Sequence, residues 1–125
     1  MDVTYSWDFP KLEIYYNYQS LQNVVYMIHW IYTASYIDQN NKTWQESMRG
    51  IEDIAYDPNI TFISFENLTK DIVTSWLEND LGTQGLQVLQ TNLQQKISNS
   101  LNPPSAIVDA PWNITTSTTT TTTTL

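Results

Sequence analysis

Apolar and polar positions alternate from Val3 to Phe9, with Val3, Tyr5, Trp7 and Phe9 on one side and Thr4, Ser6 and Asp8 on the other. A period of two marks a strand with one buried face. Pro10 is expected to stop it, because proline brings no N–H to a ladder. Lys11 to Tyr16 reads as a second short strand or an irregular edge. The pattern is stronger from Val24 to Ile37, where Val24, Tyr26, Ile28, Trp30, Tyr32, Ala34 and Tyr36 form one uninterrupted apolar face. Val25, Met27, His29 and Ile31 make the start of the opposite face too apolar to lie open to water, so a central strand covered on both sides is expected there. Asp38-Gln-Asn-Asn41 is a turn. Lys42 to Ile54 then returns antiparallel, with Gly50 expected to mark a bulge or bend. After a turn at Asp57-Pro58-Asn59, Ile60 to Phe65 is expected to form a last strand.

The pattern then changes to a helical period. Thr69 is a plausible N-cap, with Leu68 before it and Val73 four residues inside it suited to a hydrophobic staple. Ile72, Val73, Trp76, Leu77 and Leu81 share one face, and Gly82 is expected to end the helix in a left-handed conformation. A second stripe follows in Leu86, Leu89, Leu93, Ile97 and Leu101, ended by Asn102-Pro103-Pro104. Pro111-Trp112 is expected to pin the extended Ser105–Ile114 stretch to the domain surface. A sheet with one apolar face needs a cover, and the helical stripes supply one. The expected architecture is a two-layer α+β domain over residues 1–112. It consists of an antiparallel meander, with strands over about 3–65, and a packed helical hairpin, with helices over about 69–101. Residues 113–125 are expected to be a Thr-rich C-terminal arm, extended or disordered. Thr115 to Thr124 is broken only by Ser117 and would reach roughly 30 Å if extended, enough to lie along a neighbouring subunit.

Composition adjusts this picture in a few places. The 125 residues hold five Trp, eight Tyr and three Phe, an aromatic supply that lets a small domain build its core without disulfides. No cysteine is present, which excludes a disulfide framework and thiolate metal sites. The net charge is −8, and Lys11, Lys42, Arg49, Lys70 and Lys96 are scattered singly. Neither nucleic acid nor an anionic membrane surface is therefore expected as a partner. No run approaches the ~18–20 apolar residues of a spanning helix. The first residues, Met-Asp-Val-Thr-Tyr, show neither a basic region nor an apolar signal core, which implies synthesis and folding in a cytoplasm.

The titratable residues form no recognisable constellation. His29 is the sole histidine, with no second imidazole or thiol to complete a zinc site, and is read as structural. No serine stands in a Gly-x-Ser-x-Gly turn. Glu46, Glu52, Asp53 and Asp57 lack the spacing of a calcium loop and are read as solvated surface carboxylates. Glu66 and Asp71 suit the first helix's N-terminal dipole, whereas Glu78 and Asp80 oppose its other end. The sequons at Asn41, Asn59, Asn67 and Asn113 are read as products of an Asn- and Thr-rich composition. No catalytic, cofactor-binding or metal residue is assigned, no cofactor is expected, and the chain is not expected to be an enzyme.

Six segments taken in order carry a resemblance. They are Tyr5-Ser-Trp7-Asp-Phe, Val24-Val-Tyr-Met-Ile-His29-Trp30, Phe65-Glu-Asn-Leu-Thr69-Lys, Val73-Thr-Ser-Trp76-Leu-Glu, Leu93-Gln-Gln-Lys-Ile97 and Pro111-Trp112. Together, from about Tyr5 to Trp112, they resemble a family of small uncharacterised proteins of tailed bacteriophages, including phages of marine cyanobacteria. The stretch from Asp38 to Asp57 and the Thr tail lie largely outside it. The resemblance implies a structural or assembly context and brings no catalytic residue. The expected function is a non-enzymatic virion component, accessory or decoration-type, that binds other phage head or tail proteins, with self-association as a further option. It would reside in the virion, and in the host cytoplasm during assembly. The alternative is a tail or tail-fibre assembly chaperone not retained in the mature particle.

Overall fold

The computed structural model describes residues 1–113. Three strands, β1 (Val3–Tyr18), β2 (Leu21–Ile37) and β3 (Thr43–Asp53), form an antiparallel meander in the order β1-β2-β3. The helix α1 (Lys70–Leu101) packs across one face, so the fold is α+β in two layers. The sheet is open, and β1 and β3 are both edges.

Pro10 does not end the first strand. Pairing runs from Val3↔Tyr36 to Tyr18↔Leu21, and the register slips between Asp8 and Lys11, where Phe9 and Pro10 bulge opposite Trp30. An edge strand with a bulge can carry proline, since the ladder there does not need its missing N–H. A second slip leaves Tyr26 as the extra residue on β2, between Glu13↔Met27 and Ile14↔Val25. The tight turn at Gln19 and Ser20 has positive φ at both residues (50° and 69°), the backbone hand that suits a two-residue hairpin.

The second hairpin is organised by Asp38. One of its carboxylate oxygens accepts the backbone N–H of Asn40 (2.8 Å) and Lys42 (2.9 Å), and the other accepts the Trp44 indole N–H (2.9 Å). These bonds, the Trp44 donor first, hold the Asp38 carboxyl below its ordinary range. The Lys42 ammonium lies 4.1 Å from the centre of the Trp44 ring. The β2–β3 register then runs unbroken from Ile37↔Thr43 to Met27↔Asp53, straight through Trp30↔Gly50. Gly50 therefore marks no bulge. A Cβ there would overlap Cζ2 of the Trp30 ring, so glycine is required because the indole lies directly on its backbone.

Ile60 to Phe65 does not form the expected last strand. Asp57 accepts the Asn59 N–H through its side chain (2.8 Å) and the Ile60 N–H through its carbonyl (3.2 Å), closing a turn. The chain then reaches a 3-10 turn at Phe65–Asn67 without pairing to either sheet edge. Its apolar residues serve as a wall instead, described below.

The N-terminus of α1 is as expected, with the Thr69 hydroxyl accepting the Ile72 N–H at 3.2 Å. Gly82 does take a left-handed φ, at 72°. The backbone there is non-helical, and helix adjoins it on both sides with no loop between, so two helical stretches meet at a kink at Gly82 where a hairpin was expected. Val73 and Leu77 before the kink, and Leu93 and Ile97 after it, enter one core with Trp7, Ile28, Trp30, Tyr32 and Ala34. Trp7 stacks on Tyr32 (4.0 Å between centroids) and meets Trp30 edge-on (5.6 Å).

Trp112 is not pinned to the surface. Pro111–Asn113 closes on itself, with the Asn113 N–H bonded to the Ala110 carbonyl at 2.8 Å, and the tryptophan stays exposed. The Thr-rich arm expected at 113–125 falls, after Asn113, outside the described residues.

Candidate functional site

The hairpin end of the sheet, the chain after β3 and the first half of α1 enclose a cleft of about 310 Å³. Val24 and Val25 form its floor and both are buried, but the double cover expected for β2 stops there, since Met27, His29 and Ile31 on the opposite face are only half-buried. Ile54, Ile60, Phe62 and Ile63 form one wall, which is what the failed strand does in the fold. Leu68 and Trp76 form the other wall. Asn23, Asp57, Asn79 and Asp80 add polar groups. A mostly apolar cleft with a few polar groups is the usual form of a binding site.

Asp80 also reaches Glu52 on the helix-facing side of β3, which changes the reading of Glu52. It is no solvated surface carboxylate. The hydrogen bond to Asp80, followed by burial and the charges of Asp80 and Asp53, pushes its carboxyl up to about 7. Two carboxylates held this close share a proton. Neighbouring acids have separate uses. Glu46 accepts the Ser100 hydroxyl (3.0 Å), Asp57 closes its turn, and Glu78 accepts the Trp7 indole N–H (2.8 Å). Glu78 thus ties the helix to β1. Among the described residues no group of three or more His, Asp or Glu is placed to hold a metal ion.

His29 lies on the uncovered face of the sheet. Its Nε2–H donates to Glu13 Oε2 at 2.6 Å, and the Tyr26 hydroxyl donates to Glu13 Oε1 at 3.1 Å. The His29 bond first, then the Tyr26 bond, lower the Glu13 carboxyl, while Glu13 raises the Tyr26 phenol. Tyr26 stacks on Tyr15, and Tyr15 on Tyr18. The arrangement fastens the bulged residue Tyr26 to both strands, a structural use. The rest of this face is hydroxyl-rich, with Thr33 and Ser47 in a cross-strand bond of 2.8 Å.

The C-terminal segment is the other exceptional feature. Ile107, Val108 and Trp112 are 104%, 79% and 83% exposed, although folded chains rarely leave such a group together in water. Sequence patterning missed this exposure, the cleft and the Glu52–Asp80 pair. The extended Pro-flanked stretch was visible, but its detachment from the domain was not.

Residues 2–112 match the model of a family described as a domain of unknown function, DUF7936. The chain belongs to this family. The DUF7936 match reaches Trp112, so the exposed segment lies within the family's extent while the Thr run lies beyond it. Comparison with curated proteins and with solved structures gives no match. No helix among the described residues is long and apolar enough to cross a membrane.

Proposed function

We propose that this protein is a non-enzymatic interaction module that serves as an accessory or decoration-type component of a phage virion, binding head or tail subunits. The observation that carries the interaction role is the exposed Ile107, Val108 and Trp112 segment. Apolar surface of that kind gains free energy once a partner covers it. The unpaired outer edges of β1 and β3 add backbone groups that can accept a further strand. The phage setting rests on the ordered resemblance of Tyr5–Trp112. The Thr-rich arm would extend the contact surface along a neighbouring subunit. The net charge of −8 keeps the free protein soluble before assembly.

Mass spectrometry of purified particles, with copy number taken relative to the major capsid protein, tests the reading. A fixed stoichiometric copy number supports a virion component. Absence from finished particles, with presence during assembly, would replace it with the chaperone reading. Deleting Thr115–Leu125 is expected to leave the domain folded and reduce incorporation.

A further inference from the structure

We propose that two copies of this chain exchange their C-terminal segments, Ile107–Trp112 of each entering the cleft of the other. The proposal names the partner for the binding role above, but particle membership plays no part in its test, so either can fail alone.

One chain carries both halves of the contact. The segment presents an aliphatic pair and an indole to water, and the cleft presents an apolar floor and walls of about the right scale. Asp57 and Asp80 on the cleft offer acceptors for the indole N–H of Trp112, which a buried tryptophan normally needs.

Distance argues for a second copy over the chain's own cleft. Helix α1 ends near Glu46, through the Ser100 bond, at the opposite end of the sheet from Val24 and Ile54. Glu46 and Ile54 are separated by eight strand residues, about 26 Å. Ile107, seven residues after Ser100, reaches at most about 25 Å when fully stretched and must also round the helix. Trp112 could therefore arrive at the chain's own cleft but the aliphatic pair could not seat beside it, whereas a second copy admits the whole segment. Pro103 and Pro104 end the helix and stiffen the exit. A two-fold axis solves the problem. Two copies placed antiparallel along their strands bring the exit of each beside the cleft of the other, and this isologous contact closes without forming a filament.

The area is also sufficient. One buried tryptophan removes roughly 150–250 Å² from water. With Ile107 and Val108 beside it, both surfaces counted and the exchange made twice, the total reaches about 1,200 Å², the lower range of a stable interface.

Sedimentation velocity on the full chain over a concentration series tests this, with three samples beside the wild type. Trp112→Ala removes the anchor, Ala55→Trp fills the cleft from an exposed wall position, and the third sample is their equimolar mixture. Circular dichroism checks folding, and Ile60→Asp at the exposed rim replaces Ala55→Trp if that variant misfolds. The wild type is expected to dimerise. Each variant alone should dimerise at least about tenfold more weakly. The mixture should regain association through its one intact segment and one intact cleft. A wild type that stays monomeric at its highest soluble concentration overturns the proposal. So does a dimer indifferent to Trp112→Ala, or a mixture that remains monomeric.

Discussion

Trp30 and Trp112 are the same side chain in opposite circumstances. Trp30 is 8% exposed, lies on the bare backbone of Gly50 and meets Trp7 edge-on, while Trp112 is 83% exposed in a turn that closes only on itself. The first is held because strand register delivers a glycine beneath it and a helix above it. The second follows a Pro-Pro break that carries the chain off the domain. An apolar residue therefore reports a need for burial, and topology decides whether its own chain or another molecule meets that need.

Substitutions on the two sides should separate by magnitude. The largest losses belong to the core beneath α1. Leu77→Ala or Ile97→Ala, both fully buried, should cost about 2–5 kcal/mol in chemical denaturation. A loss below about 1 kcal/mol would mean the helix is not seated on the sheet as described. Gly50→Ala comes next. Its Cβ would clash with Trp30, at a cost of about 1–3 kcal/mol from forced repacking. A neutral result would show that the indole does not rest there.

Glu52 lies between the two regimes, because it links β3 to the helix beside the cleft. Its native carboxyl titrates near 7, above its ordinary value of 4.5. As pH rises through that window the unfolded chain releases this proton while the folded one retains it, so stability falls between those values and levels off above them. Glu52→Gln should remove that fall and gain about 1–2 kcal/mol at pH 8, after allowance for solvent screening. An unchanged pH profile would remove Asp80 as its partner. Glu13 and Asp38 act in the other direction. Both carboxyls are lowered in the fold, so their contributions are lost as pH falls through their native values. His29→Ala should produce only a small drop in melting temperature, since it frees Glu13 on an open face where water replaces the lost donor.

Much of this fold is legible in sequence where the cause is local. The alternation of β2, the Asp38 turn and the Thr69 cap each follow from residues a few positions apart. The failures share a different cause. Pro10 survives inside β1 only because β1 is an edge with a bulge opposite Trp30, and register cannot be read from one strand. Ile60–Phe65 has the β-branched and aromatic composition of a strand, yet its residues line the cleft at the end of the sheet. Gly82 breaks the helix with a positive φ as its composition suggests, but the next helical stretch starts at once and buries Leu93 and Ile97 in the same core as Val73 and Leu77, which a local stop signal does not show. The Glu52–Asp80 pair joins residues 28 positions apart and has no motif. The exposed C-terminal segment was the most misleading, since Pro-Trp at a chain's end has the composition of an anchor.

The most direct test of the account is urea denaturation of the protein carrying Ile107→Ser, Val108→Ser and Trp112→Ser together. If the segment lies outside the fold and serves a partner, the midpoint and slope should match those of the wild type at concentrations where both are monomeric, within about 0.5 kcal/mol. A clearly lower midpoint would place these three residues inside the domain's own core and contradict the account.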